Sequence, residues 1–189
     1  LEPQLEAGGE AAAQAMAGLK VRAKELGLWA LGHPAEIGGG GLPFMDFVYM
    51  NEVIGRSGHG QQAVGSLSMQ DSIMLHRYGS QVQQERWLRP LVDGDIYPSV
   101  GLTEPEVAGS DPTLMRTTAV LDGDEWVING HKWFTSGANI AAFTTVFCET
   151  EPDQQKHARF SSIIVPTDTP GYRIERVVPT LREIMDKGG

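Results

Sequence analysis

Residues 101–113, GLTEPEVAGSDPT, carry an unusual density of groups that can bind a polar ligand. The hydroxyls of Thr103 and Ser110 can each donate and accept a hydrogen bond. Two prolines exclude the segment from a helix interior and a central strand, so its backbone N–H groups are not committed to regular structure. Gly109 allows close approach of another molecule. The segment predicts a loop suited to a flat ring with a polar edge and to a pyrophosphate.

A second segment, residues 129–138 with the sequence NGHKWFTSGA, combines an aromatic pair with two hydroxyls. Phe134 could cover one face of a ring while Ser136 reaches a ring nitrogen. On these residues alone, the favoured interpretation is a hairpin whose aromatic side chains belong to the core, because strand aromatics usually pack. Binding therefore depends on whether the two segments act together.

Other chemistries find little support in the sequence. The run Gly38–Gly41 lacks the Lys-Ser/Thr of a phosphate-binding P-loop and does not follow a strand. The five histidines show no metal-binding spacing, and Cys148 is the only cysteine, so neither a disulfide within the chain nor a cysteine-based zinc site can form. No G-x-S-x-G motif marks a nucleophilic serine. We therefore expect no metal site.

The net charge of −9 argues against a general binder of nucleic acid or of anionic membranes, since like charges repel. No apolar run approaches the roughly 18 residues of a membrane span, and the N-terminus lacks the pattern of a signal peptide. The chain starts without Met and ends in DKGG, which indicates a fragment or a processed protein. The composition is that of an ordinary globular protein.

Two kinds of secondary structure follow one another. Residues 10–98 have helical apolar periodicity, with Gly27 as a helix end, a capping box of Ser80 and Gln83, and a break or kink at Pro90. Residues 114–178 read as six short strands: LMRTTAVL, WVIN, HKWFTS, TTVFCE, FSSIIVP and YRIERVV, with Asn-Gly as a hairpin turn after WVIN. The sequence predicts an α+β chain with a helical domain at residues 1–98 and a small antiparallel sandwich or barrel at residues 99–189.

The stretch GLTEPEVAGSD, followed about twenty residues later by DEWVINGHKWFTSGA, closely resembles the flavin-binding segments of acyl-CoA dehydrogenases. The order of helices and strands also matches that family, over essentially the whole chain. The resemblance implies an N-terminal helical domain, a middle β-domain, and a C-terminal four-helix bundle that this chain lacks. It also implies FAD bound between the middle domain and the bundle, with a neighbouring subunit contributing.

The resemblance also implies roles for individual residues. The backbone of Leu102 and the hydroxyl of Thr103 would meet the polar edge of the isoalloxazine, and Ser110 would lie near the pyrophosphate and the acyl-CoA arm. Phe134 would stack on the flavin face away from substrate, and Ser136 would hydrogen-bond flavin N5. The full set expected to contact FAD is Val100, Gly101, Leu102, Thr103, Gly109, Ser110, Phe134, Thr135 and Ser136, with Ser110 also contacting substrate.

The implied reaction is α,β-dehydrogenation of an acyl-CoA thioester. The general-base glutamate belongs to the C-terminal bundle in this family, so no catalytic base is assigned here and the chain alone is expected to be inactive. The loop EPEVAGS, one residue longer than the common form, and WFTSGA in place of WITNG indicate a less typical branch.

Two alternatives stay open: an acyl-CoA oxidase or another flavoenzyme of the same fold, and a truncated non-catalytic paralogue that acts as an interaction subunit. An electron-transfer flavoprotein and a homo-oligomer, dimer or tetramer, are the expected partners. The expected location is the cytoplasm in a bacterium, and the mitochondrion or peroxisome in a eukaryote. Acyl chain length, branching and the electron acceptor are not specified by these residues.

Overall fold

A computed structural model describes residues 1–178 of the chain. The chain divides into two compact units, Leu1–Ile96 and a second unit that begins at Tyr97. The first unit is helical and the second is built on a β-sheet, so the predicted α+β class is confirmed. The last residues of the predicted β-domain, 179–189, lie outside the described residues.

The helical unit contains seven α-helical segments. Short 3₁₀ and π turns, at Ala35–Ile37 and Gln84–Leu88, connect some of them. The helices are α1 (Glu2–Glu6), α2 (Gly9–Glu25), α3 (Phe44–Ile54), α4 (Gly60–Ala63), α5 (Met69–Tyr78), α6 (Gln81–Gln83) and α7 (Arg89–Asp93).

The C-terminal end of α2 follows the prediction at Gly27. This glycine has φ +68°, its N–H donates to Lys24 O (3.1 Å), and the next N–H, that of Leu28, donates to Ala23 O (2.8 Å). The pair of bonds is a Schellman motif, which favours glycine because only glycine adopts a positive φ without strain. The prediction of a helix end at Gly27 is therefore confirmed.

The segment from α6 to α7 is almost continuous. Ser80 and Gln83 form the predicted capping box at its start. Pro90 does not end the helix; instead, the π turn Gln84–Leu88 comes directly before α7. A proline has no N–H and crowds the carbonyl one turn earlier, and a widened turn relieves that crowding. Lys20 and Lys24 of α2 then donate to the carbonyls at the end of α7.

Helix α3 turns most of its apolar side chains outward. Phe47 is buried, whereas Met45, Val48, Tyr49 and Val53, which form one apolar stripe in the sequence, are all at least 41% exposed. Eight of the eleven positions of FMDFVYMNEVI are apolar and they lie on all sides of the helix, so periodicity does not select which stripe faces the core of the unit.

Within residues 97–178, the β-unit contains one five-stranded sheet centred on the buried strand β4. Strand β4 pairs antiparallel with β5 along its whole length, parallel with β1, and parallel with β2 through the single pair Thr118–Glu149. Strands β2 and β3 form an antiparallel hairpin closed by Gly123 and Asp124. The strands are β1 (Pro98–Gly101), β2 (Thr118–Asp122), β3 (Glu125–Asn129), β4 (Phe143–Glu149) and β5 (Phe160–Pro166).

Three details of the predicted sheet are wrong. The sheet is mixed rather than antiparallel, because β1 and β2 both run parallel to β4. HKWFTS is not a strand, since Phe134 has φ +51°, which strand geometry forbids. YRIERVV is not a strand either, although the hydroxyls of Tyr172 and Thr144 are hydrogen-bonded at 2.8 Å. Strand β1, by contrast, was not predicted, because Pro98–Gly101 falls at the boundary between the predicted helices and the predicted loop.

Candidate cofactor site

The two ligand-binding segments predicted from the sequence lie side by side. The N–H of Trp133 donates to Thr103 O at 3.1 Å, and Lys132 Nζ donates to Leu102 O at 3.1 Å. Lys132 Nζ also donates to Glu104 Oε1 at 2.8 Å. Three consecutive residues of one segment are therefore bonded to two consecutive residues of the other. Neither stretch is part of a strand ladder, so these bonds hold the two loops together.

Glu104 is the most heavily hydrogen-bonded side chain of this region, and it is only 2% exposed. Its carboxylate accepts from the N–H of Arg116 (2.6 Å), the N–H of Thr117 (2.9 Å) and the hydroxyl of Thr117 (2.5 Å), in addition to Lys132. The first three donors lie just before β2. Glu104 therefore joins the first loop both to the second loop and to the residues that lead into β2.

Burial disfavours the charged form of Glu104, but the hydrogen bonds from Lys132, Thr117 and Arg116 together outweigh it and lower the pKa to about 2. Burial also lowers the pKa of Lys132, and the neighbouring carboxylate only partly offsets that effect. The geometry is that of a buried ion pair. A carboxylate that holds its proton so weakly and lies inside the protein is a poor general base.

Close packing at two glycines lets the loops approach each other. A Cβ atom at Gly130 would stand 2.1 Å from Thr117 Oγ1, and one at Gly109 would stand 2.5 Å from Thr103 Cγ2. The Asn129-Gly130 pair is thus not a hairpin turn. Gly130 is required because the Thr117 hydroxyl that bonds Glu104 occupies the space of a side chain.

The backbone beyond Glu104 presents free donors. Among the described residues, the N–H groups of Val107, Ala108, Gly109 and Ser110 donate to no protein acceptor, and the Ser110 side chain is exposed. Successive unpaired N–H groups of this kind are suited to binding an anion such as phosphate. The loop then ends at Asp111, whose carboxylate accepts from the N–H and the hydroxyl of Thr113.

The aromatic segment has one residue in an unfavourable conformation. Phe134 has φ +51°, which is a strained conformation for a large side chain, and it is 51% exposed. Its ring centroid lies 4.6 Å from that of Trp133, whose indole N–H is buried without a partner among the described residues. In this conformation the ring of Phe134 is half-exposed and available to another flat ring.

The two hydroxyls after Phe134 differ in environment. Ser136 is exposed, whereas Thr135 is 7% exposed and its hydroxyl is buried without a hydrogen-bond partner within residues 1–178. An unpaired buried hydroxyl is costly, so such a group is often completed by a ligand or a water molecule. Thr135 and Ser136 are both candidates for the hydroxyl that meets a ring nitrogen.

The remaining predicted residues lie at the end of β1. Gly101 is buried and Thr103 half-buried, whereas Val100 and Leu102 are 38% and 37% exposed. The predicted set is therefore gathered at the end of β1 and along the two joined loops. Sequence analysis missed Glu104, Lys132 and Thr117 as the residues that join them. No local signal marked this pairing, because Thr117 and Lys132 lie 13 and 28 positions after Glu104 in the sequence.

Within residues 1–178 there is no group of three or more metal-ligating side chains. The same part of the chain contains no helix long and apolar enough to cross a membrane.

A helical unit followed by a β-sheet unit matches the fold of a solved acyl-CoA dehydrogenase over 92% of this chain. The family model of the acyl-CoA dehydrogenase N-terminal domain matches residues 3–95, and that of the middle domain matches residues 99–182. The chain belongs to the acyl-CoA dehydrogenase family.

Individual relatives agree with this assignment. A probable acyl-CoA dehydrogenase of Mycobacterium tuberculosis, FadE2, is 39% identical over 166 residues, which are 85% of this chain and 40% of FadE2. The structure of a putative acyl-CoA dehydrogenase from Mycobacterium abscessus matches 92% of this chain and 44% of its own chain, with 40% identity and a TM-score of 0.87.

A glutaryl-CoA dehydrogenase from Mycobacterium smegmatis, solved in complex with FADH2, matches 96% of this chain and 45% of its own, with 29% identity and a TM-score of 0.68. The chain thus spans less than half the length of each of these three relatives.

Proposed function

We propose that this chain forms the helical and middle-domain part of an enzyme that performs flavin-dependent α,β-dehydrogenation of an acyl-CoA thioester. The observation that carries the proposal is the pair of joined loops: the bond from Trp133 N to Thr103 O brings together the two segments that resemble flavin-binding sequences. A relative that was solved with FADH2 has the same fold over this region and supports FAD as the cofactor.

The residues present fit FAD. The strained, half-exposed ring of Phe134 offers a flat surface for the isoalloxazine, and the buried hydroxyl of Thr135 lacks a partner among the described residues. The N–H groups of Val107 to Ser110 are suited to the pyrophosphate, because they are unpaired and consecutive. Val100, Gly101 and Leu102 would lie along the ring.

In this proposal the protein binds and orients, and bound FAD supplies the acceptance of a hydride from the substrate β-carbon. The Thr103 hydroxyl and the Leu102 backbone would fix the polar edge of the ring, while Thr135 or Ser136 would fix the nitrogen that reacts. Ser110 would hydrogen-bond the acyl-CoA arm. Removal of the α-proton requires a carboxylate that is accessible to substrate, and Glu104 does not meet that requirement because it is buried and fully bonded.

The test uses the protein expressed from its whole reading frame. It should carry a yellow chromophore, or acquire one on incubation with FAD, and release flavin on denaturation. With a saturated acyl-CoA and a dye acceptor it should reduce the dye. A colourless protein that releases no flavin would refute the proposal. Oxygen uptake in place of dye reduction would indicate the oxidase alternative, and FAD binding without turnover would indicate the non-catalytic paralogue.

An electron-transfer flavoprotein is the proposed acceptor, and a dimer or tetramer the proposed assembly. Residues 1–189 without further sequence are expected to bind FAD weakly and to lack turnover. A half-site exposes one side of the ring to water, and the lost apolar burial removes several kcal/mol of binding at about 25 cal/mol per Å². Calorimetric titration of FAD into this chain measures the difference.

A further inference from the structure

Glu104 lies between the two proposed flavin-binding loops without being one of the residues assigned to FAD. Its carboxylate is buried and accepts four hydrogen bonds from three other residues. The donors come from two directions: Arg116 and Thr117 lie at the start of β2, and Lys132 lies in the aromatic loop. Lys132 in turn donates to Leu102 O, two residues before Glu104.

We propose that Glu104 is a positioning residue for the cofactor, which sets the register between the two loops through Lys132 and Thr117; the inference rests on the proposed FAD site. The residues that it positions are its own neighbours. Leu102 and Thr103 precede Glu104 directly, and Phe134 and Thr135 follow Lys132 and Trp133 directly. A change in the register would displace both sides of the site at once.

A carboxylate performs this task better than an apolar side chain because the loops lack a strand ladder. The N–H groups of Arg116 and Thr117 point into a buried region, where an unpaired donor is destabilising. One carboxylate has lone pairs enough for all four bonds. Its charge also compensates the buried ammonium group of Lys132, whose side chain is only 11% exposed.

The same loop contains a matched control. Glu106, two residues further on, also pairs with a basic residue of the aromatic loop: its Oε1 lies 3.0 Å from His131 Nδ1. Both side chains of that pair are exposed, at 42% and 58%. An exposed pair makes a small contribution, so the Glu106–His131 contact should not fix the register.

The experiment compares variants of the protein expressed from its whole reading frame. Glu104→Gln removes the charge at constant size, and Lys132→Met removes the two bonds from the aromatic loop to Glu104 and to Leu102 O. Glu106→Gln is the control for charge on this loop. Val165→Ala, in β5, controls for a general loss of stability. For each variant the melting temperature, the dissociation constant of FAD from the apoprotein, and the visible spectrum of the bound flavin are measured.

We expect Glu104→Gln and Lys132→Met to weaken FAD binding at least tenfold and to change the shape of the flavin band. Glu106→Gln and Val165→Ala should stay within twofold of the wild type, even if Val165→Ala lowers the melting temperature. FAD binding and a flavin spectrum unchanged in both Glu104→Gln and Lys132→Met would overturn the inference while leaving the proposed function intact. A wild type that binds no FAD would overturn both.

A second measurement needs no cofactor. In the 189-residue chain, the amide of Trp133 donates to Thr103 O and should be protected from hydrogen exchange. Glu104→Gln should increase its exchange rate at least tenfold, and Glu106→Gln should leave it unchanged. If Glu104→Gln does not fold, Lys132→Met tests the link between the loops alone, because the three bonds that Glu104 accepts from Arg116 and Thr117 remain. Equal exchange in the wild type and in Lys132→Met would then contradict the role.

Discussion

Replacing Gly130 by alanine should disrupt the joined loops from inside the protein. The added Cβ would stand 2.1 Å from Thr117 Oγ1 and 2.5 Å from Thr117 Cγ2. Real Cβ atoms keep about 3.4 Å or more from such neighbours, so the threonine side chain must move by more than about 1 Å. Thr117 is 1% exposed and has no open space into which to turn.

Three contributions set the magnitude. Overpacking of a buried site costs about 1–3 kcal/mol. A threonine displaced from Glu104 also loses a hydrogen bond to a charged acceptor, which costs about 1.5–3 kcal/mol. Alanine also lowers the conformational entropy of the unfolded chain, which stabilises the folded state by about 0.4–1 kcal/mol. Gly130→Ala should therefore lower the free energy of unfolding by about 2–5 kcal/mol, which for a chain of this length corresponds to a melting temperature lower by about 5–15 °C.

The assay is urea unfolding of the 189-residue chain at pH 7, followed by circular dichroism. A double-mutant cycle identifies the cause: Thr117→Ala removes the atoms at 2.1 and 2.5 Å, so Gly130→Ala should cost at least about 1 kcal/mol less in that background. A loss below 1 kcal/mol for Gly130→Ala, or a cost independent of Thr117, would refute the close-packing argument.

Three further predictions concern titration and binding. Because the pKa of Glu104 is lowered to about 2, its ionised form contributes about 3 kcal/mol to the free energy of unfolding above pH 4.5, and this contribution is lost as pH falls towards about 2. Glu104→Gln should remove this loss of stability in urea unfolding measured between pH 2 and 5. Burial raises the pKa of Asp71 to about 6, so the free energy of unfolding should fall as pH rises from about 4 to 6. Asp71→Asn should stabilise the chain at pH 8 by up to about 3 kcal/mol. An Asn variant that is less stable than the wild type at pH 8 would contradict this. In the protein from the whole reading frame, Ser136→Ala or Thr135→Val, whichever removes the hydroxyl at the reacting nitrogen, should slow flavin reduction about ten- to hundredfold in stopped flow. Wild-type rates in both variants would exclude both hydroxyls from that role.

Local sequence signals predicted the helical unit well. The helix end at Gly27 and the capping box of Ser80 with Gln83 were both predicted from the local sequence. Interactions of this range are decided by the local chain, which explains why they can be read from it. The orientation of α3 could not be predicted from the sequence, because its apolar residues lie on all sides of the helix and define no single inward stripe.

The sheet required information that local patterns do not contain. Strand β1 has only four residues and begins at a proline, and its partner β4 starts 45 residues later. The parallel pairing of such distant segments cannot be predicted from the apolar periodicity of either segment. Phe134 illustrates the opposite error: its aromatic neighbours predict a strand, whereas its positive φ breaks one.

Local sequence patterns were also insufficient to predict how the site is assembled. Sequence motifs placed the two loops in one site only through resemblance, and the structure supplies the physical link that the motifs lacked. Glu104 could be read as one of several loop carboxylates, because nothing in its neighbourhood distinguishes a buried ion from a solvated one. What distinguishes it is the set of donors that surround it: two backbone N–H groups, a hydroxyl and an ammonium, all directed to one position.

A buried ion pair by itself is weak evidence of stabilisation, since apolar residues of similar volume often replace one without loss. Here an apolar residue would leave two backbone N–H groups unpaired, so the carboxylate is explained by the geometry of the loops rather than by the strength of the pair.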